Sequence, residues 1–404
     1  MIVGAGMAGV QTALQLREQG WSGEVRLIGA EEHPPYDRPP LSKAVLLGKA
    51  EGSAFEVDFA QLDVDLVLGR RATGVRPAEH LLLTTDGPVP YDHLVIATGA
   101  EPLTLPGAED LPRVHVLRTL DDAMRLRPVL ARRRSLVVVG AGWIGAECAT
   151  AAREAGAAVT VVEAAAHPLA GALPPKVAAP MARWYREWDV ELRTGQRVAA
   201  VTEDGVCLAD GTLLAADAVV VGVGARPATG WLAGSGIELA EDGSVRADAR
   251  LRASAPDVYA VGDCASFPSA RYGERLLVHH WDNAMQGPRT VAANILADTL
   301  PDDGAAAQVY DPVPYFWSEQ FGRFVQYAGH HTAGDTLLWR GDPAVDDAWT
   351  ALWLREGVLV ALLAVGRPRD LTQGRRLIER AAVLDPSRAA DAAAPLKTSA
   401  VHGG

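Results

Sequence analysis

The sequence predicts an α/β chain of two Rossmann-like units followed by a smaller α+β region. Three observations predict it. Gly-x-Gly-x-x-Gly occurs twice, at Gly4, Gly6, Gly9 and at Gly140, Gly142, Gly145, each time directly after a run of valine or isoleucine. Each copy leads through an apolar helical pattern to a second β-branched run that ends at an acid, Glu31 in one case and Glu163 in the other. From about residue 308 the composition shifts to aromatics in short alternating stretches.

Taken in order, Met1, Ile2 and Val3 form the first strand, residues 10–20 a helix, and residues 24–28 a second strand closed by Gly29 and Glu31. Three residues make a very short strand, so either it is abbreviated or its start lies upstream. Residues 94–97 form a buried strand ending at Thr98 and Gly99, and Pro102, Pro106 and Pro112 then mark a linker. At Ser135 the opening pattern returns: strand 136–139, a glycine turn, a helix toward Gly156, and strand 158–162 before Glu163. The run 218–221 before Gly222 and Gly224 parallels the one before Gly99, so the architecture is duplicated more than the sequence. Residues 258–261 give another buried strand, ending in Gly262 and Asp263, and a helix follows around 284–296. In the last region, 324–327, 336–339 and 358–365 alternate as antiparallel strands. Covering helices are expected at 346–355 or 375–383, and residues 391–404 read as a loose tail.

A chain of 404 residues carries two or three domains on a prior of roughly 100–200 residues each. Its net charge of -12 repels phosphate backbones and argues against a broad nucleic-acid face. No apolar run reaches the ~18–20 residues of a membrane span, and the start has no signal-peptide pattern. The expectation is a soluble, cytoplasmic protein. Cys148, Cys207 and Cys264 lie far apart with no CxxC spacing, so neither a metal site nor a dithiol motif is expected.

In each glycine triplet the first residue permits the tight turn, the second leaves room for a pyrophosphate, and the third lets helix and strand approach. Phosphates then meet unpaired N–H groups at a helix N-terminus. One such triplet is weak evidence; two, each with strand, helix and acid in place, point to two dinucleotides. Glu31 and Glu163 are placed to accept bonds from a ribose diol, and a carboxylate at 163 disfavours a 2′-phosphate, hence NADH over NADPH.

The run Pro34, Pro35, Tyr36, Asp37, Arg38, Pro39, Pro40, Leu41, Ser42, Lys43 resembles the FAD-dependent pyridine nucleotide oxidoreductases. The likeness is to the ferredoxin reductases that serve cytochrome P450 and aromatic-ring dioxygenase systems. Residues 4–9, 96–99, 140–147, 219–227, 259–265, 281–286 and 314–320 match as well, in the family's order. The resemblance implies a glutathione-reductase-like arrangement. An FAD domain would come from 1–108 and 231–306, an NAD domain from 109–230, a C-terminal α+β domain from 307–390, and the tail would follow.

It further implies that Gly4, Gly6, Gly9, Glu31, Arg38, Lys43, Thr98, Asp263 and Trp281 hold FAD, and that Gly140, Gly142, Ile144, Gly145, Glu163 and Gly224 hold NADH. Glu147 would lie near the nicotinamide and Trp317 would cover the isoalloxazine, which makes Lys43, Glu147 and Trp317 the candidate catalytic set. Each has a plainer reading: Lys43 as a solvated loop lysine, Glu147 as a helix-dipole complement, Trp317 as core. The expected activity passes a hydride from NADH to FAD and single electrons to a [2Fe-2S] ferredoxin, in a monomer or homodimer. Direct oxygen or quinone reduction, and an NADH-responsive interaction protein, are the competing readings.

Three positions depart from the family pattern: His279 stands where an acid is usual, and His167 and Gly171 where arginines are usual. With Ser42 and Lys43 where some relatives carry a redox cysteine, disulfide chemistry is disfavoured. For docking an acidic acceptor, the candidates are Arg132, Arg133 and Arg134, or Arg367, Arg369, Arg375, Arg376 and Arg380.

Overall fold

The computed structural model describes residues 1–108, 111–299 and 306–401. The chain divides into two compact units. One comprises Met1–Asp37, Ser53–Glu101 and Ala225–Pro312; the other comprises Arg38–Gly52, Pro102–Gly224 and Val313–Gly404. The second unit thus takes in the short segment carrying Lys43, and it joins regions that the sequence reading kept apart as 109–230 and 307–390.

The first unit is built on a parallel sheet in the order Val258–Ala260, Leu94–Ile96, Ile2–Val3, Val25–Ile28, Val64–Val67. Ile2–Val3 is only two residues long yet central, with Ile2 opposite Leu27 on one side and Val95 on the other. Strands buried on both faces need apolar side chains throughout rather than alternation, and Val3, Ile28, Leu94, Ile96, Val258 and Ala260 share one core. In the chain between Val64–Val67 and Leu94–Ile96, an antiparallel meander of Ala72–Arg76, Leu81–Thr84 and Gly87–Pro90 is inserted.

The second unit repeats this plan: Val190–Arg193, Val159–Val162, Leu136–Val139, Ala218–Val221, Val114–His115, all parallel. It too carries a meander, Val198–Thr202, Gly205–Leu208 and Leu213–Ala215. Neither meander was expected from the sequence.

The same unit contains an antiparallel sheet in the order Tyr315–Gln320, Arg323–Gly329, Val358–Val365, Trp349–Arg355, Thr336–Arg340. Helix Pro368–Glu379 buries Leu371, Leu377 and Ile378 against it, each contributing about 1.5–3 kcal/mol when fully removed from water.

Three expectations are corrected here. Residues 346–355 hold no helix: Trp349–Arg355 is a strand paired on both edges, and its buried run satisfies two faces of a sheet. The helix expected at 375–383 runs instead from Pro368, whose fixed φ suits a first turn, to Glu379. The tail is tied down as far as it is described. Leu396 is fully buried, Val401 N donates to Val383 O, and the buried Arg340 guanidinium donates to Ala389 O and Ala394 O. Residues 402–404 lie outside the described residues.

Candidate functional site

The glycine triplets make the same turn in each unit. Gly4 has φ +109° and Gly140 φ +100°. A Cβ on either would sit 2.3 Å from a carbonyl oxygen, Ala97 O or Gly222 O. At the third positions a Cβ on Gly9 would meet Gly4 O at 1.8 Å, and one on Gly145 would meet Gly140 O at 2.0 Å. The middle glycines differ from both. Gly6 has nothing within 4 Å of a built Cβ, and Gly142 only Gly222 O at 3.9 Å.

Those middle glycines also cap the helices Met7–Glu18 and Trp143–Glu154, with no side-chain cap and no acid in the first turn. Each turn therefore presents an open, side-chain-free space at a helix N-terminus, which fits a pyrophosphate.

Around the first turn, Glu31 accepts from Tyr36 OH at 2.6 Å, and Thr98 Oγ1 donates to Ala228 O at 2.8 Å. Gly262, at φ +79°, lies so close to the first helix that a Cβ would be 2.9 Å from Ala8 Cβ, which sets Asp263 beside that helix. Trp281 Nε1 donates to Asp37 Oδ1 at 2.7 Å. Burial pushes the His280 imidazole down to about 4, against the opposing charge of Asp263. The adjacent His279 has a buried Nε2 with no partner among the described residues, an atom left over for a ligand.

Around the second turn, Glu163 holds the loop itself: Oε2 accepts from Ala141 N and Oε1 from Ala165 N, both at 2.8 Å. Ile144 is exposed at the start of the helix, and Gly224 O accepts from Leu103 N at 2.9 Å.

The second unit also collects two of the three candidate catalytic residues in one cluster. Glu147, 6% exposed, forms an ion pair with Lys43 Nζ at 2.8 Å. Its other donors are Ser42 Oγ at 2.5 Å, Ser318 Oγ at 2.7 Å and Glu319 N at 3.3 Å. Trp317 lies next to Ser318 on strand Tyr315–Gln320 and stacks on Tyr315 at 6.1 Å, with the Arg375 guanidinium 4.8 Å over the Tyr315 ring. Phe316 packs edge-on against Trp143, the first residue of the helix after the second turn, at 4.7 Å. Glu147 is buried and its carboxylate is met by three side chains and a backbone amide, more than a helix-dipole complement requires.

Ser318 was not singled out from the sequence, and Ser42 only as the residue standing where some relatives carry a redox cysteine. A buried hydroxyl between aromatics is the only signal at Ser318, and it does not stand out. Arg38 donates to Arg118 O in the same unit as Lys43, apart from the unit that carries Gly4, Gly6 and Gly9. Of the basic candidates, Arg367 is engaged by Asp370 at 2.7 Å and by Ala392 O, while Arg369, Arg376 and Arg380 are exposed. Cys148 and Cys264 are both buried. Burial pushes the Cys148 thiol up to about 12 and raises that of Cys264 too. Among the described residues, no helix is long and apolar enough to cross a membrane.

Comparison with known proteins agrees with this geometry. The chain matches the family model described as pyridine nucleotide-disulphide oxidoreductase over residues 1–287, and the one described as reductase C-terminal over residues 315–400. It is 36% identical over 412 residues to the 5,5'-dehydrodivanillate O-demethylase ferredoxin reductase subunit of Sphingobium sp. (strain NBRC 103272 / SYK-6), covering 98% of this chain and 97% of that one. The crystal structure of Fdr9 superposes with a TM-score of 0.92 at 46% identity over 98% of each chain. Putidaredoxin reductase, in its covalent complex with putidaredoxin, gives 0.91 at 32% identity over 98% of this chain and 96% of that one.

Proposed function

The chain belongs to the FAD-dependent pyridine nucleotide-disulphide oxidoreductase family, and we propose that it works as an NADH:ferredoxin reductase feeding a [2Fe-2S] ferredoxin of a cytochrome P450 or dioxygenase system. One observation carries the reading: two side-chain-free turns, one per unit, each with room at its middle glycine and none at the other two. Relatives that the chain matches over nearly their whole length are ferredoxin reductases by name.

In this reading the first turn, with Glu31, Thr98, Asp263 and Trp281, holds FAD. The second, with Ile144, Glu163 and Gly224, holds NADH. Bound FAD supplies the step between a two-electron hydride donor and a one-electron acceptor. The chain's own work is positioning and charge. Lys43 offers a cation held by Glu147, Trp317 supplies an aromatic cover, and Glu163 keeps a carboxylate where a 2′-phosphate would sit. Arg369, Arg376 and Arg380, or alternatively Arg132 and Arg133, are exposed cations able to draw in an acidic ferredoxin. With both buried thiols protonated and serine and lysine at 42 and 43, the chain has no dithiol for disulfide reduction. A cytoplasmic site of action follows from the need for an NADH pool.

Anaerobic titration of the yellow protein tests this. NADH should bleach the flavin at lower concentration than NADPH, and a [2Fe-2S] ferredoxin should restore the colour faster than air. Bleached protein that reoxidises only with oxygen would make the chain an oxidase instead.

A further inference from the structure

Ser318 has no role in the reading above. It is 1% exposed on strand Tyr315–Gln320, and its hydroxyl donates to Glu147 Oε1, where the Glu319 amide also points. The second oxygen, Oε2, accepts from Lys43 Nζ and Ser42 Oγ. An ionised carboxylate has about four lone-pair sites. Four donors of the chain converge on this one, so Glu147 keeps no acceptor for a ligand. Lys43 is the opposite case. Its one short bond is to Glu147, and its contacts to Pro39 O and Ser42 Oγ are at 3.4 and 3.5 Å. Its side chain is 23% exposed, so N–H groups remain available.

We propose that Ser318, with Ser42, is a positioning residue. It holds the Glu147 carboxylate so that Glu147 orients Lys43 instead of contacting the nicotinamide. The strand gives the same bond a second consequence. Side chains alternate across a strand, so anchoring Ser318 on the buried face fixes the height at which Trp317 stands on the other. The C-terminal sheet then helps set the lysine and the tryptophan together, through one hydroxyl. This rests on the reductase reading and extends it to a residue outside the dinucleotide turns.

The test compares wild type, Ser318→Ala and Ser318→Thr as FAD-loaded full-length protein. Stopped-flow reduction by NADH gives a limiting rate and an NADH dissociation constant, and potentiometry gives the flavin midpoint potential without NADH. In Ser318→Ala the limiting rate should fall about tenfold, as expected for a loosened positioning contact. NADH affinity should stay within about twofold, and the midpoint potential should move negative as the lysine is released. Ser318→Thr, which keeps the hydroxyl, should recover rate and potential.

Weaker NADH binding at an unchanged limiting rate would overturn the proposal, since Glu147 would then be a nicotinamide contact. An unchanged rate and potential would overturn it too, as would a threonine variant no better than alanine. Should the alanine variant lose FAD, Ser42→Ala removes the other hydroxyl from the same carboxylate and must give the same split. Wild type that NADH fails to bleach would sink the reductase reading instead.

Discussion

The turn after Ile2–Val3 and the turn after Leu136–Val139 share their backbone conformation. Gly4 N donates to Ile28 O, and Gly140 N to Val162 O, both at 2.8 Å. The capping glycines have φ, ψ of -84°, -170° and -75°, -173°. The turns part at the acid. Glu31 is held by a side chain, the Tyr36 hydroxyl, whereas Glu163 is held by two backbone amides, one of them from the turn it follows. A shared backbone suits both turns to the same kind of group, an anion at a helix end. The different holding of the acid suggests how they bind it. The second turn is braced by its own acid before any ligand arrives, as suits a coenzyme that comes and goes. At the first, a tyrosine from the following loop reaches the acid, as suits a coenzyme that stays.

The largest effects should come from breaking one turn at a time. Gly9→Ala and Gly145→Ala each drive a methyl into a carbonyl oxygen, at 1.8 and 2.0 Å, and neither backbone can yield without opening the helix–strand contact. Gly9→Ala should give colourless protein. Gly145→Ala should stay yellow, with NADH-dependent bleaching lost by about a hundredfold or more, on the order of 3 kcal/mol. Absorbance at 450 nm and NADH titration read both. A colourless Gly145→Ala would show that the two turns are not separate sites.

An intermediate effect should sharpen the difference at the acid. Glu163→Gln places an amide donor against one of two backbone N–H groups, a mismatch worth about 1–3 kcal/mol. NADH binding should weaken about tenfold, by an amount of that order. Tyr36→Phe removes a hydroxyl donor to Glu31 and should speed FAD release about threefold at most, followed by the rise in free-flavin fluorescence. A larger loss at Tyr36 than at Glu163 would reverse the argument about which turn is braced.

The glycine turns were legible in the sequence because their constraint is local. A carbonyl within 2.3 Å of a would-be Cβ leaves glycine as the choice, whatever lies elsewhere in the chain. The parallel sheets were legible for a similar reason, as runs such as Leu136–Val139 need apolar residues on both faces. The meanders at 72–90 and 198–215 were not, because strands of three to five residues with mixed burial show too little period to read. Trp349–Arg355 was misread because a run buried on both sides has no period to separate strand from helix; only its two neighbours decide it. In the candidate site, Lys43 and Glu147 carry charge and drew notice. Ser42 and Ser318 act through single hydroxyls, brought to Glu147 from 105 and 171 residues away.

The smallest expected effect concerns the thiols, one buried in each unit. Cys264 Sγ donates to Ile96 O and Val261 O at 3.4 and 3.3 Å beside the first turn, and Cys148 follows Glu147 on the helix after the second. Alkylation requires the thiolate. Burial raises both thiols, and at about 12 for Cys148 the ionised fraction at pH 8 is about one in ten thousand. Iodoacetamide at pH 8 should therefore modify only Cys207, which is partly exposed on strand Gly205–Leu208, and leave NADH oxidation unchanged. Peptide mass mapping of the native protein decides it. Rapid labelling of Cys148 or Cys264 with loss of activity would return thiol chemistry to a chain whose family is named for disulphide oxidoreductases. Silence at both would place the whole electron path on the two dinucleotides, and with it the division of labour between the two turns.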